Sequence, residues 1–282
     1  MRLLVIGAGG MLGQDVARSA SRSGHEVIAL ARSDLDVSSA PATRTALEAE
    51  RPDAVVNCAA FTDVDGAEAA EAAALEVNGA GAGHLAAATT RVGARLVHVS
   101  TDYVFDGAAG RPYVEADEPH PLSAYGRTKL AGEREVAARN PDHAVVRSSW
   151  LFGAGGGNFV ETMLALGPER AEVTVVEDQV GCPTWTGHLA PALVRLAEGD
   201  ATGVFHVAGG GSCSWRELAE EVMRRAGIEC AVRPGRMADL GRPAPRPALS
   251  ALRSNRSDAP VLPSWSDGLR AYLGERSRLA AR

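Results

Sequence analysis

The chain lacks the features that would indicate a metal site, a membrane segment or a nucleic-acid surface. Its four cysteines are scattered, and none form the Cys-x-x-Cys spacing of a zinc site or dithiol, so we expect neither a metal nor a disulfide framework. No apolar run reaches the roughly 18 residues of a membrane span, and no leader-like segment opens the chain, so we expect a cytoplasmic protein without a membrane partner. The net charge of −6 argues against nonspecific binding to nucleic acid.

Lysine is nearly absent as well. Lys129 stands alone, while arginine supplies the other 28 cationic side chains. It follows Tyr125 by four positions, and residues i and i+4 share one face of a helix. A nearby ammonium group lowers the pKa of a phenol, which suits it to general acid–base catalysis, and a compact ammonium group can hold sugar hydroxyls. The spacing predicts a catalytic Tyr125–Lys129 pair, with an exposed surface pair as the alternative.

Short apolar runs alternate with alanine-rich segments of helical periodicity. This alternation predicts an α/β fold, a doubly wound parallel Rossmann sheet with right-handed crossovers. The predicted strands are 3–6, 26–30, 54–57, 95–99, 144–147 and 203–207, and the predicted helices are 11–22, 43–50, 67–92, 123–139 and 214–226.

Glycine- and proline-rich loops interrupt this rhythm after about residue 148. Long loops in compact domains usually bind something. We therefore expect a dinucleotide-binding Rossmann domain at 1–148, with its sheet completed by about 185–210. A smaller C-terminal substrate-binding region would comprise 149–184 and 211–282, with a frayed tail from residue 275.

A glycine-rich turn, GAGGMLG, follows the first predicted strand and opens the first predicted helix. Gly7 would make the tight turn, and Gly10 would let the pyrophosphate of a dinucleotide approach the helix N-terminus. Gly13 would allow the helix to pack closely on the strand. The sequence predicts a dinucleotide site at Gly7, Gly10, Met11, Leu12 and Gly13.

The end of the second predicted strand distinguishes NADPH from NADH. In such sites an acidic residue binds the ribose 2′-hydroxyl, whereas a basic residue accommodates the 2′-phosphate. No acidic residue stands at this tip, and Arg32 does. We predict NADPH as the cofactor, with NADH possible but weaker. The Asp-Leu-Asp-Val segment that follows would cap the next turn, or Asp36 would contact the adenine.

Four motifs, taken in order, resemble those of the extended short-chain dehydrogenase/reductases. They are the glycine turn, NCAAFTDVD from residue 57, STDYVF from residue 100, and the Tyr-x-x-x-Lys pair. More closely, almost the whole chain is similar to the dTDP-4-dehydrorhamnose reductase family, which reduces 4-keto nucleotide sugars. The resemblance implies NADPH-dependent reduction of the C4 keto group of a dTDP-4-keto-6-deoxy sugar, most simply dTDP-4-dehydro-L-rhamnose to dTDP-L-rhamnose.

The resemblance also assigns roles to individual residues. Tyr125 would protonate the carbonyl oxygen, and Lys129 would lower its pKa and bind the nicotinamide ribose. Thr101, or less well Ser100, would hydrogen-bond the same oxygen. Ala59 and Ala60 would line the cofactor with the glycine turn. The implied substrate contacts are Thr62, Asp63, Val64, Tyr103, Trp150, Gln179, Thr184, Arg246 for the dTDP pyrophosphate, and Ser250.

Ordinary structural explanations compete with several of these roles. The alternative for Trp150 and Tyr103 is a core aromatic, and the alternative for Thr101 is a cap of the next turn. For Asp63 a helix N-cap fits as well as a substrate contact. Two other functions stay open. One is the reduction of a different dTDP-4-keto-deoxysugar in secondary metabolism. The other is a non-catalytic regulatory subunit resembling that of methionine adenosyltransferase. We expect a monomer or a homodimer.

Overall fold

A six-stranded parallel sheet with helices on both faces forms the larger part of the computed structural model, which describes residues 1–280. The strands are β1 Arg2–Ile6, β2 Glu26–Leu30, β3 Ala54–Asn57, β4 Arg95–Thr101, β5 His143–Ser148, β6 Leu151–Phe152, β7 Glu172–Val176, β8 Val180–Gly181, β9 Thr184–Trp185, β10 Gly203–His206, β11 Cys213–Ser214 and β12 Ala231–Gly235. The helices are α1 Met11–Arg22, α2 Ala40–Glu50, α3 Val64–Ala69, α4 Glu71–Leu75, α5 Gly81–Val92, α6 Ala124–Arg139, α7 Phe159–Leu166, α8 Thr186–Glu198, α9 Trp215–Ala226 and α10 Trp265–Ala280.

The strand order of the large sheet is β10-β5-β4-β3-β1-β2, and every pairing in it is parallel. The order reverses between β1 and β3, because the chain crosses from β1 to β2 on one side and then continues from β3 on the other. In doubly wound sheets this reversal opens a crevice at the carboxyl ends of the strands, where ligands bind. The predicted α/β doubly wound fold is confirmed.

Alternate residues of the strands fill two separate cores. In β1, Leu3 and Val5 belong to the core beneath α1 and α8, whereas Leu4 and Ile6 belong to the core beneath α2 and α5. All four side chains are at most 1% exposed. Burial of such a side chain stabilises a fold by roughly 1.5–3 kcal/mol, which explains why the central strands are apolar on both faces.

A third apolar core lies outside the large sheet. It is built from β7, α7, α9 and α10, together with aromatic side chains from the segment after β5. There β12 pairs in parallel with β7. Ser214 caps α9 through the capping box that its spacing from Glu217 indicates, with both reciprocal hydrogen bonds present. No helix within the described part of the chain is long and apolar enough to span a membrane.

Two details of the predicted helices are wrong. The single helix expected at 67–92 is divided into α3, α4, a π-helical turn at Glu76–Ala80, and α5. The π turn lies where α6 comes very close, since a Cβ on Gly132 would stand 2.0 Å from the carbonyl oxygen of Asn78. The tail expected to fray from residue 275 is helical as far as Ala280, and residues 281–282 lie outside the described residues.

Candidate active site

The glycine turn forms a cradle at the reversal of strand order. Gly7 has a φ of +79°, and its N–H donates to the carbonyl oxygen of Leu30 at 2.9 Å. A Cβ on Gly7 would stand 2.7 Å from the backbone nitrogen of Ala59, and a Cβ on Gly13 would stand 2.2 Å from the carbonyl oxygen of Gly7. The turn therefore tolerates no side chain at either position.

The N-terminus of α1 fits the pyrophosphate of a dinucleotide. Gly10 is its N-cap and supplies no side-chain cap, so the first N–H groups of the helix, at Met11, Leu12 and Gly13, face outward. Such a helix end attracts anions through its N–H groups and its dipole. A Cβ on Gly156 would stand 3.2 Å from the side chain of Met11, so the loop after β6 lies over the same helix end.

Two buried asparagines fix the segment after β3, which contains Ala59 and Ala60. The Asn57 side chain accepts the N–H of Ala59 at 3.0 Å. Asn78 accepts the N–H of Phe61 at 2.8 Å and donates to Thr128 of α6 at 3.1 Å. Asn78 therefore ties this segment to the helix that carries the tyrosine and lysine, and the π turn presents it.

Arg32 lies exposed just beyond the end of β2. The nearby carboxylates are engaged in hydrogen bonds within local turns. Asp34 accepts the N–H of Ala31 at 2.8 Å, and Asp36 accepts from the N–H and the hydroxyl of Ser38 at 3.0 and 2.7 Å. Arg32 forms no ion pair with any residue in 1–280. The predicted roles of Arg32 and Asp36 stay predictions, and the engaged carboxylates favour the turn-capping alternative for Asp36.

Replacement of Arg32 tests the cofactor prediction. In Arg32→Ala we expect the KM for NADPH to rise roughly tenfold, with little change for NADH, because a charge-assisted contact contributes about 1.5–3 kcal/mol. Steady-state kinetics with both cofactors measure the effect. Arg44→Ala removes another exposed arginine and should leave both values unchanged. Equal losses for the two cofactors in Arg32→Ala would show that Arg32 does not recognise the 2′-phosphate.

Tyr125 and Lys129 lie one turn apart on α6. Ser123 caps this helix by accepting the N–H of Gly126 at 3.2 Å. The Tyr125 ring meets that of Tyr103 edge to face, with ring centroids 5.9 Å apart. Lys129 is 2% exposed, and its Nζ donates to the carbonyl oxygen of Val99 at 2.7 Å. The surface-pair alternative is therefore excluded for Lys129.

In the protein alone, burial sets the direction of the pKa shift of Tyr125, and the predicted lowering by Lys129 stays a prediction. Burial raises the pKa of Tyr125 above its ordinary value, the charge of Asp102 raises it further, and only a hydrogen bond with Thr101 acts to lower it. Burial also lowers the pKa of Lys129 to about 8. Tyr125 is therefore held protonated at neutral pH, the form in which it can donate a proton.

Thr101 and Asp102, at the end of β4, form the floor of the cleft. The Thr101 hydroxyl donates to Asp102 Oδ1 at 3.1 Å and accepts the N–H of Tyr103 at 3.2 Å. A hydroxyl group has one proton to donate. Donation to Asp102 therefore competes with the expected donation to a carbonyl oxygen, and the contact with Tyr103 includes the turn-capping alternative.

Asp102 is a fully buried carboxyl group held by hydroxyls. Besides Thr101, it accepts from Ser149 at 3.0 Å and from Ser250 at 2.5 Å. Burial raises its pKa to about 6, although these hydrogen bonds act in the opposite direction. Asp102 therefore joins β4 to the segments after β5 and near residue 250.

The titration of Asp102 should appear in the stability of the protein. Because its pKa in the folded chain exceeds the ordinary 3.8, its contribution to stability is present at acidic pH and is lost as pH rises through about 6. Relative to Asp102→Asn, the free energy of unfolding of the unmodified chain should fall by about 2–3 kcal/mol between roughly pH 4 and pH 7. Urea unfolding at several pH values measures this difference. The exposed Asp239→Asn should show no such difference, and a pH-independent gap for Asp102→Asn would contradict the shift.

Several predicted substrate residues are engaged in structural contacts. Asp63 caps α3 by accepting the N–H of Gly66 at 2.9 Å, so its side chain follows the N-cap alternative. Thr184 is fully buried, donates to Cys182 and accepts from Gly209, both at 2.9 Å. The Ser250 hydroxyl is committed to Asp102. The structure therefore does not support substrate contacts by the side chains of these three residues.

Arg246 lies beside the cleft with its guanidinium group paired. It binds both carboxylate oxygens of Asp65 at 3.0 Å, and Arg242 joins the same carboxylate at 3.0 Å. The charge of Arg246 acts against the rise that burial causes in the pKa of Tyr103, so the two side chains lie near each other. Arg246, Tyr103 and Tyr125 are thus brought together, and Asp65 is a partner that the sequence did not identify.

The two remaining predicted substrate contacts lie at the start of α3. Thr62 is exposed just before the helix, and Val64 is half-buried at its first position, and both stay predictions.

Trp150 and Gln179 meet at an aromatic cluster that includes Trp215. The Trp150 ring stacks on Trp215 with centroids 3.5 Å apart, and its φ is +47°. Trp215 Nε1 donates to Gln179 Oε1 at 3.1 Å, which fixes the amide orientation because an indole N–H only donates. The Gln179 Nε2 group is buried without a hydrogen-bond partner among the described residues. This amide can donate a hydrogen bond to a ligand oxygen, so Gln179 stays a predicted substrate contact. Trp215 was missed, and its position after the Ser214 cap gave no signal of this role.

The glycine cradle, the parallel sheet and the Tyr-x-x-x-Lys pair define a Rossmann-type oxidoreductase of the extended short-chain dehydrogenase/reductase class. A family model described as RmlD substrate binding domain matches residues 1–278. The chain therefore belongs to the family of dTDP-4-dehydrorhamnose reductases that this domain characterises.

Known proteins resemble the chain along nearly its full length. A dTDP-4-dehydrorhamnose reductase from Streptomyces griseus is 47% identical over 262 residues, which cover 90% of this chain and 86% of the relative. A dTDP-4-keto-6-deoxy-D-glucose reductase from Streptomyces niveus is 45% identical over 253 residues, covering 89% and 86%. The crystal structure of dTDP-4-dehydrorhamnose reductase from Bacillus anthracis in complex with NADP matches with a TM-score of 0.95 at 35% identity, covering 97% and 99%.

Proposed function

We propose that the protein reduces the C4 keto group of a dTDP-4-keto-6-deoxy sugar with NADPH, and that the reaction is dTDP-4-dehydro-L-rhamnose to dTDP-L-rhamnose. The observation that carries the proposal is the position of Tyr125 and Lys129 on α6, with Lys129 bonded to Val99 near the carboxyl end of β4. The reductase names of the relatives and the NADP complex of the Bacillus anthracis protein support the substrate and cofactor.

Each residue of the cleft would have a separate role in the reduction. NADPH, when bound, supplies the hydride that reaches C4 of the sugar. Tyr125 gives its phenolic proton to O4 as the carbonyl oxygen gains negative charge, and the phenolate then recovers a proton from water. Lys129 places a positive charge behind the phenol and would hold the nicotinamide ribose. Thr101 acts to lower the pKa of Tyr125, and Asp102 accepts the hydrogen bond of the Thr101 hydroxyl at 3.1 Å.

The region 149–184 and 211–282 would bind the nucleotide sugar above this cleft. Trp150, Tyr103 and the free amide donor of Gln179 would contact the sugar. The guanidinium group of Arg246 would meet the dTDP pyrophosphate and exchange part of its pairing with Asp65 for phosphate oxygens. The reaction would take place in the cytoplasm, where a reducing compartment agrees with the four free cysteines of the chain.

A second candidate is direct reduction of dTDP-4-keto-6-deoxy-D-glucose, without prior epimerisation at C3 and C5. The Streptomyces niveus relative, named for that reaction, resembles the chain almost as closely as the Streptomyces griseus enzyme. The two substrates differ only in sugar stereochemistry, which the same Tyr125 and Lys129 could serve from either face of C4. The pocket walls, rather than the catalytic pair, would decide between them.

The test is NADPH consumption with dTDP-4-keto-6-deoxy-D-glucose, with and without a 3,5-epimerase, followed by NMR of the sugar. The proposal expects turnover only with the epimerase and dTDP-L-rhamnose as the product. Turnover without it would establish the second candidate. If NADPH binds but neither mixture turns over, the function as a reductase of these sugars is wrong, and a non-catalytic subunit becomes the better interpretation.

A further inference from the structure

The ammonium group of Lys129 lies in surroundings that disfavour its charge. The side chain is 2% exposed, and of the three N–H donors of an ammonium group one reaches the carbonyl oxygen of Val99 at 2.7 Å. Burial lowers the pKa of a lysine because it removes the charged form from water. Here it lowers the pKa of Lys129 to about 8. A further fall of about one unit would leave much of Lys129 neutral at physiological pH.

Glu133, one turn further along α6, opposes this effect. Its carboxylate is 5% exposed and raises the pKa of Lys129 by Coulomb attraction. It is held by Arg147 of β5, whose Nε lies 3.0 and 3.2 Å from its two oxygens and whose Nη2 lies 2.7 Å away. Ser100 donates to the same carboxylate at 2.5 Å, so its hydroxyl proton is not free for the third catalytic role.

Arg147 is in turn fixed on its far side. Its guanidinium group lies 5.1 Å from the ring centroid of Phe105, and its Nη1 lies 3.5 Å from His206 Nε2. An arginine that meets both oxygens of a carboxylate forms strong charge-assisted hydrogen bonds and fixes its position. Glu133 is therefore a carboxylate held in place one helical turn from Lys129.

The other titratable groups that face Lys129 carry no charge at neutral pH. Cys58, after β3, has its pKa raised by burial to about 12, and His98 of β4 has its pKa lowered by burial and by Lys129 itself. Tyr125 on the same helix is protonated. Within the described residues, Glu133 is thus the ionised group that offsets the burial of Lys129.

We propose that Glu133 is a positioning residue that keeps Lys129 protonated at neutral pH, with Arg147 as the clamp that holds Glu133 in place. The inference rests on the catalytic role proposed for Lys129. The i, i+4 spacing of Lys129 and Glu133 places the carboxylate on the same helix face as the ammonium group, with Tyr125 one turn to the other side.

The single lysine of the chain allows a direct test. Protein labelled with ¹³C at the lysine Cε gives one side-chain signal, whose pH titration reports Lys129 alone. The double variant Glu133→Gln/Arg147→Met removes both charges and leaves no unpaired buried guanidinium group. We expect the pKa of Lys129 to fall by about one unit or more in this variant. Glu135→Gln changes a half-buried glutamate on the same helix, one that pairs with Arg139, and should leave the titration unchanged. An unchanged pKa in the folded double variant would overturn the proposal.

A smaller change covers the case in which the double variant fails to fold. Glu133→Asp keeps a carboxylate for Arg147 but withdraws it from Lys129. The pKa of Lys129 should therefore fall by a smaller amount, and an unchanged value would again overturn the proposal.

The pH profile of kcat separates the counter-charge role of Glu133 from the catalytic role of Lys129. If Lys129 acts as proposed, the alkaline decline of kcat should move to lower pH together with the NMR titration. A shift in NMR without a shift in kcat would remove Lys129 from the mechanism while leaving Glu133 as its counter-charge.

Discussion

Tyr125→Phe should abolish reduction while leaving NADPH binding nearly intact. The phenol is the proton donor in the cleft, and loss of a general acid typically costs 10²–10⁴-fold in rate, so we expect kcat to fall by roughly 10³-fold. The change removes a single oxygen atom from a ring that keeps its edge-to-face contact with Tyr103. Steady-state kinetics measure kcat, and fluorescence titration with NADPH measures cofactor binding.

The matched control is Tyr113→Phe. Tyr113 is a buried tyrosine, whereas Tyr125 is half-buried; the Tyr113 hydroxyl donates to Asp106 at 2.7 Å and its ring stacks on Phe105. This variant should lose some stability and keep kcat within about twofold, because one neutral-to-charged hydrogen bond contributes about 1.5–3 kcal/mol to folding and none to the reaction. Retention of more than about a tenth of kcat in Tyr125→Phe would remove Tyr125 as the acid.

Lys129→Arg should reduce kcat/KM by roughly 10²-fold although it preserves the positive charge. Lys129 is buried in a space fitted to one ammonium group and one carbonyl oxygen, that of Val99. Arginine brings a planar fork with five N–H donors, most of which would find no partner there, and each unsatisfied buried donor costs about 1–3 kcal/mol. The point charge would also move away from Tyr125. Kinetics with both substrates, together with thermal unfolding, distinguish lost activity from lost folding.

The reverse exchange on the same helix is the control. Arg127 is exposed, pairs with Glu71 at 2.8 Å, and points away from the cleft, so Arg127→Lys should leave kcat and KM unchanged. Such exposed pairs contribute about 0–1 kcal/mol to stability. If Lys129→Arg were as active as the unmodified chain, its charge alone would matter, and the argument from the single lysine would fail.

The sheet and its glycine cradle could be predicted because they follow local periodicity. Alternating residues of β1 are buried on both faces, which gives an apolar run, and Gly7 and Gly13 stand where a Cβ would meet backbone at under 3 Å. The division of the long helix after β3 could not be predicted. It depends on the approach of α6 at Gly132, a contact between segments more than 50 residues apart.

The cleft could be predicted where a role depends on spacing, and not where it depends on long-range partners. Tyr125 and Lys129 are four residues apart, and a helix brings them together. Asp102, by contrast, accepts hydrogen bonds from the hydroxyls of Ser149, 47 positions away, and Ser250, 148 positions away. The sequence assigned Ser250 to the substrate because it gave no sign that its hydroxyl donates to the buried carboxyl group of Asp102. Glu133 did carry a readable signal, its i, i+4 spacing from Lys129.

The direction of the pKa shift of Tyr125 shows how burial outweighs a neighbouring charge. A sequence argument counts the charge of Lys129 but not the desolvation of the phenol, and desolvation is the largest cause of the shift. Burial also lowers the pKa of Lys129, which disfavours its charged form. A phenol with a raised pKa suits the reductive direction, because the proton donor must be protonated before the carbonyl oxygen gains charge.

The most direct test of the central claim uses NADPH carrying deuterium at both C4 positions of the nicotinamide ring. The sugar substrate is dTDP-4-keto-6-deoxy-D-glucose with a 3,5-epimerase, and the product is examined by NMR and mass spectrometry. Our account predicts one deuterium at C4 of the product, absent when Tyr125→Phe replaces the unmodified protein. A sugar without deuterium, under conditions in which the protein binds the cofactor, would contradict the assignment of this cleft to carbonyl reduction.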